Sequence, residues 1–259
     1  MVELGTGEYW RTVDFADRNV CAKAYPPSVA EHVQDGRIFV DSVDSVKSVF
    51  FWHHCGFGYI SGSPTREFLS DVVSLFWDTT YRKPDRLVLL LDDHGLEPWI
   101  PLERGLAMSR RHEFQYSGCP SPLLGARPLP EGFVCREIGG GPFERLAGKV
   151  VPSMYWISAS EFLEKGKGFC ILRDGKAAAW SFSSAVSHDE TDIGVETDER
   201  FRGRGFATAV ARRMVQYVLQ EGRLPVWQCQ ASNAGSHRTA ERLGFQIAKT
   251  HSVFRKTIQ

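Results

Sequence analysis

Between Thr191 and Gln220 the chain passes from a strand-like run, Thr191 to Thr197, through the turn Arg202-Gly203-Arg204-Gly205 into a helical pattern from about Phe206 to Gln220. Ala207, Val210, Met214, Val215, Val218 and Leu219 recur at helical spacing, which predicts that they share one face, and Gly222 stands where such a helix would stop. A turn in that position has a chemical consequence. The first N–H groups of a helix have no intrahelical partner, and the helix dipole adds positive potential there. Gly203 and Gly205 let the backbone curl inward and remove side chains that would hold an anion away. Arg202 and Arg204 add two cations, each worth about 1.5–3 kcal/mol in a charge-assisted bond to phosphate. The segment is therefore suited to a pyrophosphate. It is not the dinucleotide fingerprint, because position 208 is Thr, and it lacks the Gly-Lys-Ser/Thr end of a P-loop.

The flanking segments place this turn in a mixed α and β domain. Asp174-Gly175 is a two-residue hairpin signal between strand-like runs at Gly168 to Arg173 and Lys176 to Ser184. Pro225 to Gln230 reads as a further strand, and Ser236 to Leu243 as a short helix closed by Gly244. In the first half, Ser42 to Ile60 is rich in Val, Phe, Trp and Tyr. Arg66 to Trp77 has an amphipathic pattern, and Arg86 to Leu91 is the apolar run of a buried strand. Between the halves, Ser117 to Gly132 is dense in proline and glycine and has no periodicity. The expected organisation is an N-terminal α/β domain over 1–116, a connection over 117–132 and a second domain over 133–259. The fold class is α+β.

Composition narrows the function. Of 259 residues, 42% are apolar and 24% charged, which is enough to build a core. Basic and acidic residues both number 31, a net charge of +0, so bulk charge does not favour nucleic acid. Arg110-Arg111 and Arg242 are isolated basic sites without interleaved aromatics. No signal peptide and no membrane-length apolar run is visible, which predicts a cytoplasmic protein without a membrane partner. The cysteines, Cys21, Cys55, Cys119, Cys135, Cys170 and Cys229, form no Cys-x-x-Cys pair and read as free thiols. His53-His54-Cys55 has no second ligand pair at a zinc spacing, so no metal is expected. Most of the tryptophans read as packing residues, His237 either as a residue that approaches a bound cofactor or as a helix-surface histidine, and Cys229 as a small buried hydrophobe.

A second motif gives the phosphate turn its context. Asn233-Ala234-Gly235-Ser236 follows the strand at Pro225 to Gln230 and leads through Ala240 to Arg242-Leu243-Gly244-Phe245. At these positions the sequence resembles the GNAT superfamily, which places Arg/Gln-x-x-Gly-x-Gly/Ala after its fourth strand. After its fifth strand that family has Asn, a small residue three later and Gly-Phe eleven later. The resemblance covers about 133–259. It implies a strongly twisted mixed sheet whose fourth and fifth strands splay apart, with acetyl-CoA as co-substrate between them. By that resemblance, the backbone of Glu196 and Thr197 bonds the pantetheine arm. The pyrophosphate lies on Arg202, Gly203, Arg204, Gly205, Phe206, Ala207 and Thr208, and Asn233 and Ser236 face the cofactor from the other side. The first half would be a degenerate GNAT-like domain or a family-specific one. Pro152-Ser153, Gly168-Phe169, Glu196-Thr197 and Trp227 are similar to a smaller group that contains the zwittermicin resistance acetyltransferase.

The implied activity is acetyl transfer to the primary amine of a small molecule, antibiotics included. Glu196 is the expected base, with Asp192 second, and Trp156 lies where the family forms its acceptor-side wall. Many members carry a Tyr seven residues after the Asn, where this chain has Ala240. Ser236, water or a residue of the first half then protonates the departing thiolate. Two other readings stay open: a non-catalytic acyl-CoA sensor, and an aminoacyl transferase using charged tRNA on paired domains. A homodimer is also left open.

Overall fold

The computed structural model describes residues 1–19, 24–81, 84, 86–118 and 128–257. In chain order its first elements are β1 (Val2–Glu3), α1 (Val13–Asp17), α2 (Tyr25–Ala30), β2 (Gly36–Val40), β3 (Ser48–His53), β4 (Phe57–Gly62), α3 (Arg66–Ser74), β5 (Val88–Leu91) and β6 (Leu106–Tyr116). There follow β7 (Phe133–Glu137), α4 (Gly140–Arg145), α5 (Ala159–Lys165), β8 (Gly168–Arg173), β9 (Lys176–Val186), β10 (Glu190–Thr197), α6 (Phe206–Gln220), β11 (Leu224–Gln230), α7 (Ala234–Arg242) and β12 (Phe245–Lys256). The chain forms two compact units. One comprises Met1–His112, Gln230–Ser232 and Lys249–Gln259, the other Glu113–Cys229 and Asn233–Ala248. Of the expected connection at 117–132, residues 119–127 lie outside the described residues, as do Cys21 and Cys119. Cys55, Cys135, Cys170 and Cys229 are free thiols.

In the second unit the hairpin forms where its turn residues allow. Asp174 and Gly175 have φ of 50° and 74°, the left-handed pair that matches a two-residue turn to strand twist. β7, β8, β9 and β10 pair antiparallel in succession. The β9–β10 register steps from Asp192↔Ala185 to Ile193↔Ser183, which leaves Ser184 as a bulge. β11 runs parallel to β10, but only Glu190, Thr191 and Asp192 have partners, in Leu224, Pro225 and Val226. Beyond that point the two strands part.

α6 closes one side of this sheet. Val210, Ala211, Met214, Val215 and Val218 are buried, and most of them share a core with Ile193, Trp227, Cys229 and Phe245. Burying each larger side chain contributes about 1.5–3 kcal/mol. Leu219 departs from the expected stripe and is 42% exposed. At 3.6 residues per turn it lies roughly 110° from the middle of the buried face.

In the first unit β1 to β4 also pair antiparallel, and β5 lies parallel to β4 through Phe57↔Val88, Gly58↔Leu89 and Tyr59↔Leu90. β12 then adds antiparallel to β5. Phe68, Leu69, Val72 and Val73 of α3 pack with Phe50, Trp52, Leu89 and Phe254. Both units thus repeat one plan: four antiparallel strands, a helix after the fourth, and a strand parallel to the fourth. His53 is fully buried beside Tyr25, and burial pushes its imidazole down to about 3. Its Nδ1 accepts the Cys55 N–H at 3.1 Å. Arg110 is ion-paired with Glu97 at 2.6 Å, and Arg111 lies over the Phe57 ring. Trp10 is the tryptophan that fails the packing expectation, at 72% exposed.

Candidate active site

The turn before α6 has the backbone that its glycines predict. Gly203 and Gly205 adopt φ of 77° and 80°, a left-handed conformation that favours glycine. A Cβ built on either would meet nothing within 4 Å, so the surface above the turn is open. Gly205 caps α6 with no side-chain hydrogen bond, and the Ala209 N–H is bonded to its carbonyl. The N–H groups of Phe206, Ala207 and Thr208 therefore belong to a helix start that no side chain satisfies. The Phe206 ring is buried against Phe133 and Phe201 and anchors the turn from below, and the Thr208 side chain is buried as well. Both residues thus offer a ligand their backbone rather than their side chains. Arg202 is exposed and 3.2 Å from Glu199, and Arg204 lies over the Phe201 ring. Among the described residues Arg204 has no carboxylate partner.

The splayed strands carry the other expected residues. Glu196 pairs with Trp180 and Thr197 with Ala179 across β9, past the point where β11 leaves β10. The Glu196 carboxylate is neither free in solvent nor joined to an arginine of the turn. Its two oxygens accept the N–H groups of Lys149 at 3.1 Å and Val150 at 2.7 Å. Trp180 donates its indole N–H to the Val150 carbonyl at 2.8 Å, so the segment after α4 is tied to β9 and β10 at both polar groups of one residue. A Cβ on Gly148 would collide with the same carboxylate, which explains glycine there. Asp192 is buried and accepts the Ser184 hydroxyl at 2.6 Å. Thr197 Oγ1 is buried without a hydrogen-bond partner among the described residues.

On the facing side, Asn233 is the N-cap of α7 and its side chain accepts the Ser236 N–H at 3.1 Å. The Asn-x-x-Ser spacing is thus a helix cap, which is typically worth about 1 kcal/mol. Ser236 Oγ accepts the Trp227 indole N–H at 3.0 Å, and this leaves its own proton available to donate. Glu196 has no hydrogen bond to Asn233 or Ser236 among the described residues. Ala240 is fully buried in the core with Trp227 and Phe245. The His237 ring meets Phe114 edge-on, and Cys229 is buried. Trp156 does not form a wall open to a ligand: it is 1% exposed and bonded to the Ser183 carbonyl.

A cleft that no sequence motif announced opens on the sheet face that bears Trp180 and Glu196. It holds about 330 Å³ and is lined by α4, the segment after it, the β8–β9 hairpin and the turn at Asp198–Arg200. The residues of this unit fit a phosphorylated ligand with an extended arm. An uncapped helix start, two left-handed glycines under open space and an unpaired cation stand at one end of a gap between parallel strands.

The comparisons with known proteins agree with this geometry. The GNAT acetyltransferase family model matches residues 23–254. An N-acetyltransferase of Bacillus subtilis, YdfB, itself uncharacterized, is 25% identical over 233 residues, 88% of each chain. A GCN5-related N-acetyltransferase-like protein from Streptococcus suis superposes with a TM-score of 0.75 at 23% identity, over 97% of this chain and 100% of that one. A tandem GNAT protein from the clavulanic acid biosynthesis pathway has a TM-score of 0.62 at 13% identity, over 98% and 96% of the two chains. The match spans both units, so the first half belongs to the family pattern as fully as the second. No helix among the described residues is long and apolar enough to cross a membrane.

Proposed function

We propose that this chain, which belongs to the GNAT acetyltransferase family, moves an acetyl group from acetyl-CoA to the primary amine of a small molecule. The observation that carries the reading is the open, uncapped start of α6 beside strands that part after Asp192↔Val226. The N–H groups from Gly203 to Thr208 and the side chains of Arg202 and Arg204 would hold the pyrophosphate, with the backbone of Glu196 and Thr197 along the pantetheine arm. Asn233 and Ser236 would line the other side. Acetyl-CoA supplies the activated acyl group. The narrower likeness to the zwittermicin resistance group puts antibiotics among the acceptors.

The chain's own residues have little covalent work to do. The amine nitrogen attacks the thioester carbonyl, a C–N bond forms as the C–S bond breaks, one proton leaves the nitrogen and one joins the thiolate. Holding the reactants in line supplies much of the rate. Glu196 is the proposed base: each of its oxygens is engaged by one backbone N–H and keeps a second lone pair for the amine proton. Ser236 is the proposed donor to the thiolate, because its oxygen is held by Trp227 and its proton is not. A thiol of ordinary pKa, about 8.5, leaves readily with this modest help. The test is release of free thiol from acetyl-CoA with a panel of amines. Glu196→Gln should lower kcat by about 100-fold or more, while Ser236→Ala should cost less. Binding of acetyl-CoA without thiol release from any amine would favour the sensor reading.

A further inference from the structure

The cleft beside Glu196 has a chemistry of its own. Its floor is apolar, with Leu146, Cys170, Leu172 and Trp180, and its volume of about 330 Å³ lies at the lower end of small-molecule sites. Its rim is cationic, with Arg145 at the last turn of α4, Lys176 at the start of β9 and Arg200 beside Asp198. Asp198 takes up Arg200 through bonds of 2.9 and 2.8 Å. Arg145 and Lys176 have no carboxylate partner among the described residues, so the cleft carries two uncompensated positive charges. Gly141 leaves the room in which the Arg145 guanidinium rests, since a Cβ there would lie 3.1 Å from Nη1. Burial pushes the Cys170 thiol in the lining up to about 11, which keeps it protonated at neutral pH. The cleft is built to bind.

Its position ties it to the reaction. Trp180 in the floor is the cross-strand partner of Glu196, and partners in an antiparallel pair present their side chains on the same face. The segment at Lys149–Val150 that Glu196 holds also follows directly from the cleft wall at Leu146 and Ala147. The cleft and the proposed base are thus joined through one cross-strand pair and one backbone segment.

Resting on the N-acetyltransferase reading, we infer that the acceptor is an amine that also carries a carboxylate, and that Arg145 and Lys176 bind this carboxylate while the apolar floor takes the body of the molecule. The acceptor class is then an amino carboxylate of small size rather than a polycation or a simple alkylamine.

The experiment uses the full chain with saturating acetyl-CoA and 4-(aminomethyl)benzoate, together with longer ω-amino carboxylates, each against its methyl ester. The acid should exceed its ester by at least about 10-fold in kcat/KM, the size of one charge-assisted hydrogen bond. Arg145→Ala and Lys176→Ala should each remove most of that preference through KM, with kcat, ester turnover and acetyl-CoA affinity unchanged. Equal use of acid and ester overturns the inference. So does a loss that falls on acetyl-CoA affinity, which would assign the two cations to the cofactor's phosphates. Calorimetric titration of the same acids in the presence of CoA reads the cleft without turnover. If no amine is acetylated but the acids bind and Arg145→Ala abolishes binding, the transferase reading fails while the carboxylate site stands. If the acids neither react nor bind, the cleft assignment fails on its own.

Discussion

The two units run the same order of strands into a helix and then treat the start of that helix in opposite ways. In the first, β4 ends at Gly62 and Pro64-Thr65 leads into α3, where Thr65 Oγ1 accepts the Phe68 N–H at 3.1 Å. The turn is also packed: a Cβ on Gly62 would collide with the Lys47 carbonyl oxygen, which already accepts the Ser63 N–H. In the second, α6 begins at Gly205 with no side-chain cap and open space above it. The strands differ in the same sense. β5 ends one residue after its last parallel pair, whereas β11 continues for four, from Trp227 to Gln230, and so can form the far wall of a gap. One helix start is satisfied by its own chain. The other has no side-chain cap and lies open. A repeated fold thus leaves an open helix start where the sequence withholds a cap, the start at which the cofactor is proposed to bind, and a closed one where it supplies a cap.

Equivalent substitutions in the two turns should therefore have opposite consequences. Gly205→Asp sets a carboxylate where the pyrophosphate is proposed to lie and should weaken acetyl-CoA binding by more than about 100-fold, measured by calorimetry, while the left-handed backbone there costs about 1 kcal/mol in stability. Gly62→Ala forces a left-handed residue against a carbonyl and should cost on the order of 3 kcal/mol in denaturant unfolding, while the folded fraction keeps its affinity for acetyl-CoA. If Gly62→Ala abolished binding in the folded protein, the division of labour between the turns would be wrong.

The buried His53 gives the first unit a signature in pH. Its folded pKa of about 3 lies below the ordinary 6.5, so between these values the unfolded chain binds the extra proton. Stability is then full above pH 6.5 and falls with pH, by about 1.4 kcal/mol per unit. Asp198, Asp41 and Glu97, held below their ordinary values, add to acid loss only at lower pH. Unfolding measured between pH 6.5 and 5.5 therefore separates the histidine from these carboxylates, and His53→Phe should flatten the slope. An unchanged slope would assign the pH dependence to another group. The smallest effect belongs to Thr65→Ala, which should cost about 1 kcal/mol as a lost cap and leave cofactor affinity alone.

How much of this could be read from the sequence follows from the range of the interactions. Asp174-Gly175 and the turn at Arg202 to Gly205 are local signals, and the hairpin and α6 begin and end where those residues place them. β6 was not legible, because Leu106 to Tyr116 is largely polar and its residues are mostly only half-buried. The Asn233–Ser236 spacing is legible as a family mark, but its local meaning as a helix cap lies in the bond from the Ser236 N–H to the Asn233 side chain. The partners of Glu196 lie 46 and 47 positions away and are backbone groups, which carry no residue-specific signal. The cleft joins Arg145 to Lys176 across a strand and a helix, and no spacing rule links them. Trp156 was misplaced for the same reason: nothing nearby in sequence shows that its indole reaches Ser183.

The two units share a plan, and only the second is proposed to hold the cofactor. Isothermal titration of acetyl-CoA into the full chain measures this as a stoichiometry. The account predicts one site per chain, lost in Gly205→Asp. Two sites per chain, or one site that survives Gly205→Asp, would contradict it.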